Sequence, residues 1–160
     1  MMINSSFSVD APPDQVCAYL LDVNKVVGCV PGAELGKVVD SSTFSGKLKV
    51  KVGAVSIAYQ GEAKIVDTIE TGDSVTIKVD AKGTEIGGSG SVYAKVNMTV
   101  ARSGGGSQVS IAADLTIGGK IAQFGRNYIE DISNTMVRDM ATCISANIKK
   151  GGGGGGRRGR

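Results

Sequence analysis

The sequence predicts an α+β fold in which a curved antiparallel sheet of about seven strands surrounds one long C-terminal helix. From residue 43 to residue 117, apolar residues alternate with polar ones along successive segments, as in strands that bury one face. Short turns such as TGD and SGGGS separate these segments. Parallel strands need longer crossovers, so the turns predict an antiparallel meander. After Gly118 and Gly119 the apolar spacing changes to three or four residues, which is typical of an amphipathic helix.

Before the meander, the sequence predicts one strand and a broken pair of short helices. Residues 5–11 alternate as a half-buried strand does, and Pro12 and Pro13 end it. Residues 14–21 have the spacing of a short amphipathic helix, and the stretch NKVVGCVPG reads as a broken helical turn. The final helix is predicted to run for about eight turns, roughly 45 Å. Its apolar stripe comprises Ile121, Phe124, Tyr128, Ile132, Met136, Met140, Ile144 and Ile148.

The chain length of 160 residues suits one domain with a hydrophobic core. We predict one domain over residues 1–150 and a flexible glycine–arginine tail over residues 151–160, because consecutive glycines lose much backbone entropy without burying side chains.

The formal charge of +3 arises from 18 basic and 15 acidic residues. Three of the basic residues are Arg157, Arg158 and Arg160, so the remainder is neutral and offers no surface for nucleic acid.

Neither a targeting segment nor a disulfide framework is expected. The start of the chain lacks the basic and apolar regions of a signal peptide, and no apolar run reaches the about 18 residues of a membrane span. These features predict a cytoplasmic protein with peripheral membrane contact at most.

The three cysteines, Cys17, Cys29 and Cys143, are odd in number and far apart, which predicts no disulfide. Cys29 is expected to be structural rather than a reactive thiol, because no basic neighbour is evident.

Small residues on the inward positions of the strands suggest an internal apolar cavity. Gly46, Gly61, Ala63, Ala81 and Ala94 are among these positions, and the chain has three Phe, four Tyr and no Trp. Interiors are normally close-packed, so such a sheet either leaves space for a ligand or is filled by helix side chains. No charged side chain occupies the inward positions of the assigned strand segments, so a pocket here would favour an apolar ligand.

The residues predicted to line this apolar cavity come from the first helix, the strands and the final helix. They are Leu20, Val30, Leu48, Val50, Ile57, Tyr59, Ile77, Val79, Val96, Met98, Ile111, Ala113, Leu115, Ile121, Phe124, Tyr128, Ile132 and Met136. The hydroxyls of Tyr59 and Tyr128 are the nearest polar groups.

No catalytic residue and no metal site are expected. The chain contains no histidine, which excludes Ser-His-Asp and Cys-His arrangements and most zinc sites. Glu130, Asp131 and Asp139 are predicted to form a solvated face of the last helix. Glu85, in the glycine-rich stretch TEIGGSG, either lines an entrance to the interior or serves the turn.

Three stretches together resemble one family: FSVDAPPDQVCAYLLD, VVGCVPGAEL and IGGKIAQFGRNYIED. They resemble the CoxG family of carbon monoxide dehydrogenase subunits, a branch of the START-like (SRPBCC) superfamily, from Ile3 to about Lys150. The resemblance is carried by the combination of Cys29, Pro31 and Gly32 with Gly119, Gln123, Phe124, Gly125 and Arg126. It implies a helix-grip fold and a non-catalytic accessory protein of molybdenum-containing carbon monoxide dehydrogenases and related hydroxylases.

The resemblance also implies a role in placing the enzyme at the membrane, and a cavity of a kind that carries lipids, sterols or polyketides. Together with the apolar lining, it favours a bound isoprenoid quinone or lipid and no covalent cofactor. The expected partners are the dehydrogenase, the inner face of the cytoplasmic membrane and an apolar small molecule, with no nucleic acid. Two alternatives stay open: a docking protein that carries no ligand, and a cyclase-like enzyme of the same superfamily.

The basic residues at the C-terminus are the predicted membrane contact. Lys149 and Lys150 precede the glycines, and Arg157, Arg158 and Arg160 follow them. Each basic residue near an anionic membrane contributes up to about 1 kcal/mol of attraction, and salt weakens it. A merely solubilising tail is the alternative interpretation.

Overall fold

The computed structural model describes the backbone of residues 1–156 and the side chains of residues 1–150. Seven strands, three α-helices and two short 3₁₀ turns follow one another in the described part of the chain. Their order is β1 (Met2–Val9), α1 (Pro13–Leu21), α2 (Val23–Val26), a 3₁₀ turn (Val27–Cys29), β2 (Ala33–Val38), β3 (Thr43–Val52), β4 (Val55–Thr71), β5 (Ser74–Glu85), β6 (Ser91–Ser103), β7 (Gly106–Gly118), a second 3₁₀ turn (Ile121–Phe124) and α3 (Arg126–Gly156).

The strands form one antiparallel sheet in the order β1-β7-β6-β5-β4-β3-β2. Strands β2 to β7 are a meander, because each pairs with the next along the chain. The N-terminal strand β1 pairs with β7 and not with β2. The predicted α+β fold, a seven-stranded antiparallel sheet with one long C-terminal helix, is therefore confirmed.

The C-terminal helix begins later than the sequence predicts. Residues Ile121–Phe124 form a separate 3₁₀ turn, and Gly125 follows with a φ of 87°. This left-handed conformation interrupts a helix and favours glycine, so α3 starts only at Arg126. The helix runs to Gly156, past the boundary at Lys150 that the sequence predicts. The division into residues 1–150 and a flexible tail stays a prediction.

Two clusters of buried apolar side chains form the core at opposite ends of the sheet. Strand β6 shows the separation, because Val100 belongs to the first core cluster and Val92 packs against the second. The first cluster comprises Val9, Ala11, Val16, Cys17, Tyr19, Leu20, Cys29, Ile77, Val100, Val109, Ile144 and Ile148. The second comprises Val52, Ile57, Tyr59, Ile121 and Ile129. Helix α3 contributes to both clusters and therefore bridges the space between them.

The inner face of the sheet between the two clusters is only partly buried. Its residues there, which we call the open strip, are Ala63, Ala81, Ala94, Val96 and Ala113. They share one face, since Ala63 pairs with Ala81, Ala81 with Ala94, and Val96 with Ala113. On α3, Met136 is also only partly buried. Close packing would bury these side chains, so the helix does not cover the open strip completely.

Gly46 and Gly61 do not face open space. A Cβ atom at Gly61 would overlap the carbonyl oxygen of Lys82, and one at Gly46 would lie 2.5 Å from the carbonyl oxygen of Glu34. The backbone of a neighbouring strand occupies the room that a side chain would need. These glycines permit a close approach of strands, and the incompletely covered surface comes from the alanines of the open strip.

In the described part of the chain, no helix combines the length and the apolar character needed to cross a membrane.

Candidate ligand-binding groove

A groove of about 770 Å³ lies between α3 and β3, beside the Pro31–Gly32 turn. Its lining residues are Pro31, Gly32, Lys49, Val50, Lys51, Tyr128, Asp131, Ile132, Thr135, Met136 and Asp139. Pockets that bind small molecules usually have volumes of about 300–1,000 Å³, so the groove is large enough for one.

The groove borders the space between the two core clusters. Val50 and Ile132 line it and also pack against the second cluster. Met136 lines it as well, and Met140, one helical turn farther along α3, packs against the first cluster. The groove therefore occupies the segment of α3 that lies across from the open strip.

The groove has an apolar floor and a charged rim. Val50, Ile132 and Met136 are partly buried, whereas the side chains of Lys49 and Asp131 are exposed. Lys51 and Asp139 are exposed too. An apolar molecule bound here would thus contact hydrocarbon inside and meet both signs of charge where it emerges.

Tyr59 carries an unusual hydroxyl at the second core cluster. The residue is 5% exposed, and its hydroxyl has no hydrogen-bond partner among the described residues. Burial raises the pKa of this hydroxyl above its ordinary value of 10.0, and the charge of Glu85 raises the pKa further. Tyr59 therefore offers one neutral hydroxyl, able to donate or accept a hydrogen bond, among the apolar side chains of the second cluster.

Glu85 lies on the same inner face as Tyr59, because the two residues are direct partners in the β4–β5 register. It is 8% exposed, and its Oε2 atom is 3.4 Å from Nζ of Lys120, whose side chain is 66% exposed. A Cβ atom at Gly88 or Gly90 would overlap the carboxylate. The glycines of the EIGGSG turn thus make room for a buried acid that is paired with one lysine.

The inward position of Glu85 differs from the expectation of an uncharged inner face. The alternating pattern predicts a strand that ends at Ala81, whereas β5 continues to Glu85 before the turn begins. The longer strand places a carboxylate at one end of the inner face. The expectation of an uncharged inner face is therefore wrong at this position.

Cys29 and Cys143 form a disulfide, which contradicts the expectation that the chain has none. Their Cα atoms are 5.4 Å apart although 114 positions separate them in the sequence. Spacing along the chain cannot reveal this proximity, since it arises when the turn before Pro31 packs against α3. Asn147 Nδ2 donates to the Tyr19 hydroxyl at 2.9 Å and contacts Cys29 Sγ at 3.4 Å. The disulfide therefore links one lip of the groove to the helix.

Cys17 is the remaining cysteine, and it is a buried free thiol. Burial raises its pKa above the ordinary value of 9.0, and the charges of Glu70 and Asp14 raise it further. Both effects disfavour the reactive thiolate, so Cys17 acts as a small apolar core residue.

The structure places the residues predicted to line the cavity in four groups. Those in the groove are Val50, Tyr128, Ile132 and Met136. Partly buried inner-face positions are Leu48, Val79, Val96, Met98, Ile111, Ala113 and Leu115. Those inside the core clusters are Leu20, Ile77, Ile57, Tyr59 and Ile121. Val30 is partly buried next to the Pro31–Gly32 turn, and Phe124 is exposed with its ring centroid 5.3 Å from that of Tyr128. Their contact with a ligand stays a prediction.

Several groove residues are missing from the sequence prediction. Asp131, Thr135 and Asp139 flank the apolar stripe at helical spacing, which is a signal that the sequence contains. Lys49 and Lys51 have the parity of outward residues, yet they reach the rim from β3 near the edge of the sheet. Glu130, predicted to be solvated, is partly buried and pairs with Arg126 at 3.1 Å.

The predicted membrane contacts lie away from the groove. Lys149 and Lys150 are exposed, and Lys149 lies beside a second groove of about 510 Å³ that Ser8, Ser103 and Ser145 help to line. Lys149 is about 15 Å farther along α3 than Asp139, at 1.5 Å per residue. Arg157, Arg158 and Arg160 lie outside the described residues.

Comparison with known families identifies the chain. The family model for the carbon monoxide dehydrogenase subunit CoxG matches residues 5–149. The chain belongs to the CoxG family. The resemblance found in the three sequence stretches is thus confirmed, and membership supports an accessory role beside a carbon monoxide dehydrogenase, as the family name implies. No curated protein sequence gives a significant match to this CoxG family member.

Solved structures with the same fold include proteins of different activities. A conserved protein from Geobacillus kaustophilus is 20% identical with a TM-score of 0.79, covering 94% of this chain and 96% of its own. The ZhuI aromatase/cyclase from Streptomyces sp. R1128 is 12% identical with a TM-score of 0.68, covering 99% of both chains. A STAR-related lipid transfer protein from Xanthomonas axonopodis is 17% identical with a TM-score of 0.64, covering 88% and 84%. These likenesses confirm the START-like helix-grip fold.

Within the described residues, no three potential ligands among Cys, Asp and Glu come together to hold a metal ion.

Proposed function

We propose that this CoxG family member is a non-catalytic accessory protein that binds an apolar molecule between α3 and the sheet. The single observation that carries the proposal is the open strip, a partly exposed apolar inner face beside a groove of about 770 Å³. A respiratory quinone or a lipid is the proposed ligand, because the site offers hydrocarbon walls, few polar groups and a volume in the usual range.

The proposed role is to link a carbon monoxide dehydrogenase-type molybdenum hydroxylase to the membrane and its quinone pool. Electrons leaving such an enzyme must reach carriers that are dissolved in the bilayer. A protein with an apolar site could take such a carrier from the membrane to the enzyme. We place the protein in the cytoplasm, in peripheral contact with the membrane.

Extraction of the purified protein tests the ligand. The protein is purified from its native host or from another host that makes quinones, extracted with organic solvent, and analysed by mass spectrometry. We expect quinone or lipid in stoichiometric amounts. If nothing is extracted and nothing binds when quinones and lipids are offered, the carrier function is wrong.

A matched pair of variants ties the ligand to the open strip. Ala113→Phe places a large ring on the open strip, whereas Ala112→Phe places the same ring on the opposite face of β7. We expect Ala113→Phe to remove the extracted ligand and Ala112→Phe to retain it. Equal ligand content in both variants would place the ligand elsewhere.

A docking role without a ligand is the second candidate, and an exposed apolar end of the molecule favours it. Val55, Ile86, Phe124 and Tyr128 are each at least 40% exposed, and they lie where the β3–β4 and β5–β6 turns meet the start of α3. Such side chains are typical of surfaces that contact a partner. If Ala113→Phe still captures the dehydrogenase and still supports electron delivery to quinone, docking alone is sufficient.

A cyclase-like enzyme is the remaining alternative. Its support is the shared fold with an aromatase/cyclase and the buried Glu85 beside Tyr59. The chain has no histidine to act as a general base. Turnover of a polyketide substrate that Glu85→Gln abolishes would favour this alternative over the accessory role.

A further inference from the structure

Among residues 1–150, no side chain or backbone group pairs with the Tyr59 hydroxyl, which lies where an unpaired polar group is costly. Tyr59 is 5% exposed and packs with Val52, Ile57 and Ile129 in the second core cluster. Buried hydroxyls almost always form a hydrogen bond, because an unpaired one has lost its bonds to water without replacement. A phenylalanine would fill the same volume without this cost. A tyrosine here therefore points to a partner that the described residues do not supply.

The position of Tyr59 is close to the groove and to the open strip. Val50 and Ile132 line the groove and pack against the cluster that contains Tyr59. Along β4, Ala63 of the open strip lies on the same face as Tyr59, four residues away. Tyr59 itself does not line the groove, and its hydroxyl is buried behind this lining. A ligand that contacts the hydroxyl must therefore pass between Val50 and Ile132.

Glu85 restricts what this ligand can be. Its carboxylate lies on the same face, opposite Tyr59 in the register, and Lys120 pairs with it from the surface. A negative charge beside the hydroxyl disfavours a ligand that carries a carboxylate or phosphate at this point. A tyrosine is neutral at physiological pH, and its O–H can donate to an acceptor on the ligand. The matching ligand group is an uncharged acceptor.

We propose that Tyr59 is the specificity-determining hydrogen-bond donor of the apolar site, and that it selects ligands with an uncharged carbonyl oxygen over pure hydrocarbons. This inference rests on the proposed ligand-binding function and adds the chemistry of the group that is recognised. The carbonyl oxygen accepts the hydrogen bond from Tyr59, and the rest of the ligand lies along the open strip.

Two ligands of the same shape test the proposal: duroquinone, with two carbonyl oxygens, and durene, the tetramethylbenzene without them. Equilibrium dialysis measures their binding to the full chain, to Tyr59→Phe, and to Tyr93→Phe on the outer face of β6. We expect Tyr59→Phe to bind duroquinone about tenfold more weakly, which corresponds to about 1.4 kcal/mol. Durene binding should not weaken, and Tyr93→Phe should match the unaltered protein for both ligands.

Two further measurements separate ligand recognition from a role in folding. The urea midpoint of ligand-free Tyr59→Phe should equal or exceed that of the unaltered protein, because the variant removes an unpaired buried hydroxyl. The carbonyl stretching band of bound duroquinone should move to lower frequency in the unaltered protein and not in Tyr59→Phe. This infrared measurement on the unaltered protein needs no folded variant.

The outcomes distinguish this inference from the function on which it rests. If the unaltered protein binds both ligands and Tyr59→Phe binds duroquinone equally well, the role of Tyr59 is wrong and the apolar site stands. An unshifted carbonyl band in the unaltered protein has the same meaning. If the unaltered protein binds neither these ligands nor any lipid, the proposed function fails, and the role of Tyr59 fails with it.

Discussion

Tyr59 and Glu85 determine the electrostatics of one end of the inner face. Each is less than 10% exposed, and they face each other across the β4–β5 pair. Glu85 is paired with Lys120, whereas the Tyr59 hydroxyl has no partner within the described chain. The other buried members of the second cluster are all apolar, so these two polar groups give this end of the inner face its chemical character.

The raised pKa of Tyr59 predicts a measurable dependence of stability on pH. Because its folded-state pKa lies above the ordinary value of 10.0, the neutral hydroxyl is favoured in the folded state. The resulting stability is fully present below about pH 10 and is lost as the pH rises through the raised pKa. Urea unfolding from about pH 9 to about pH 12 should therefore show a steeper loss for the unaltered protein than for Tyr59→Phe. A parallel pair of curves would contradict the burial of this hydroxyl.

Gly61 is predicted to tolerate no side chain. A Cβ atom there would overlap the backbone of Lys82 and Gly83 on β5, which cannot move away as a flexible side chain can. We expect Gly61→Ala to lower the free energy of unfolding by about 1–3 kcal/mol. Gly105→Ala is the control, because a Cβ atom at Gly105 meets nothing within 4 Å. The same urea midpoint for both variants would show that β4 and β5 are not so close.

Helix α3 and the turn before β2 are the elements that shape the groove. The helix contributes Ile129 to one core cluster and Ile144 to the other, and its middle turn stays only partly packed. The turn at Pro31–Gly32 forms the lip, and the Cys29–Cys143 disulfide joins that lip to the helix. One covalent link therefore joins the two elements that border the groove.

Thiol labelling and unfolding experiments test the disulfide. In denaturant without a reductant, we expect one thiol, Cys17, to be labelled, and Cys29 and Cys143 to be labelled only after reduction. Reduction should lower the free energy of unfolding by about 2–4 kcal/mol, because the link closes a long loop in the unfolded chain. Cys143→Ser is the control, since a reductant should not change its stability. Three labelled thiols in the oxidised protein would contradict the link.

The sequence contained part of the information about these elements. The change from period two to helical spacing near Gly118 located the end of the sheet and predicted the long helix that follows. The interruption at Gly125 was missed, because the apolar stripe continues through it and only the positive φ marks the break. Strand parity predicted that Val50 faces inward, and helical spacing placed Tyr128, Ile132 and Met136 on the apolar stripe; all four line the groove. Strand parity could not place Lys49 and Lys51 at the rim of the groove, because parity does not show which strand lies near the edge of the sheet.

At the level of the whole molecule, the two ends differ in character. The end with the β3–β4 and β5–β6 turns carries the exposed Val55, Ile86 and Phe124. The other end carries Lys149 and Lys150 near the glycine-rich segment. A membrane contact through the basic residues would therefore leave the apolar end free for another surface.

Vesicle binding tests the basic end as the membrane contact. We expect the protein to cosediment with phosphatidylglycerol vesicles more than with phosphatidylcholine vesicles, and added salt should weaken this binding. Replacing Lys149 and Lys150 by Glu should reduce it. The control replaces Lys82 and Lys95, which are exposed on the sheet, by Glu and so changes the net charge equally. The same loss in both variants would indicate a general effect of charge and no specific contact at the C-terminal end.

By itself, the sequence determined the fold class and the family, because periodicity and local motifs are written in neighbouring residues. Only the tertiary structure decided which inner residues are close-packed and which stay open. It also brought Cys29 to Cys143, placed Glu85 opposite Tyr59, and left the Tyr59 hydroxyl without a partner among the described residues. These features depend on distances between residues that are remote in the chain, and such distances are set by strand register and by the path of α3 across the sheet.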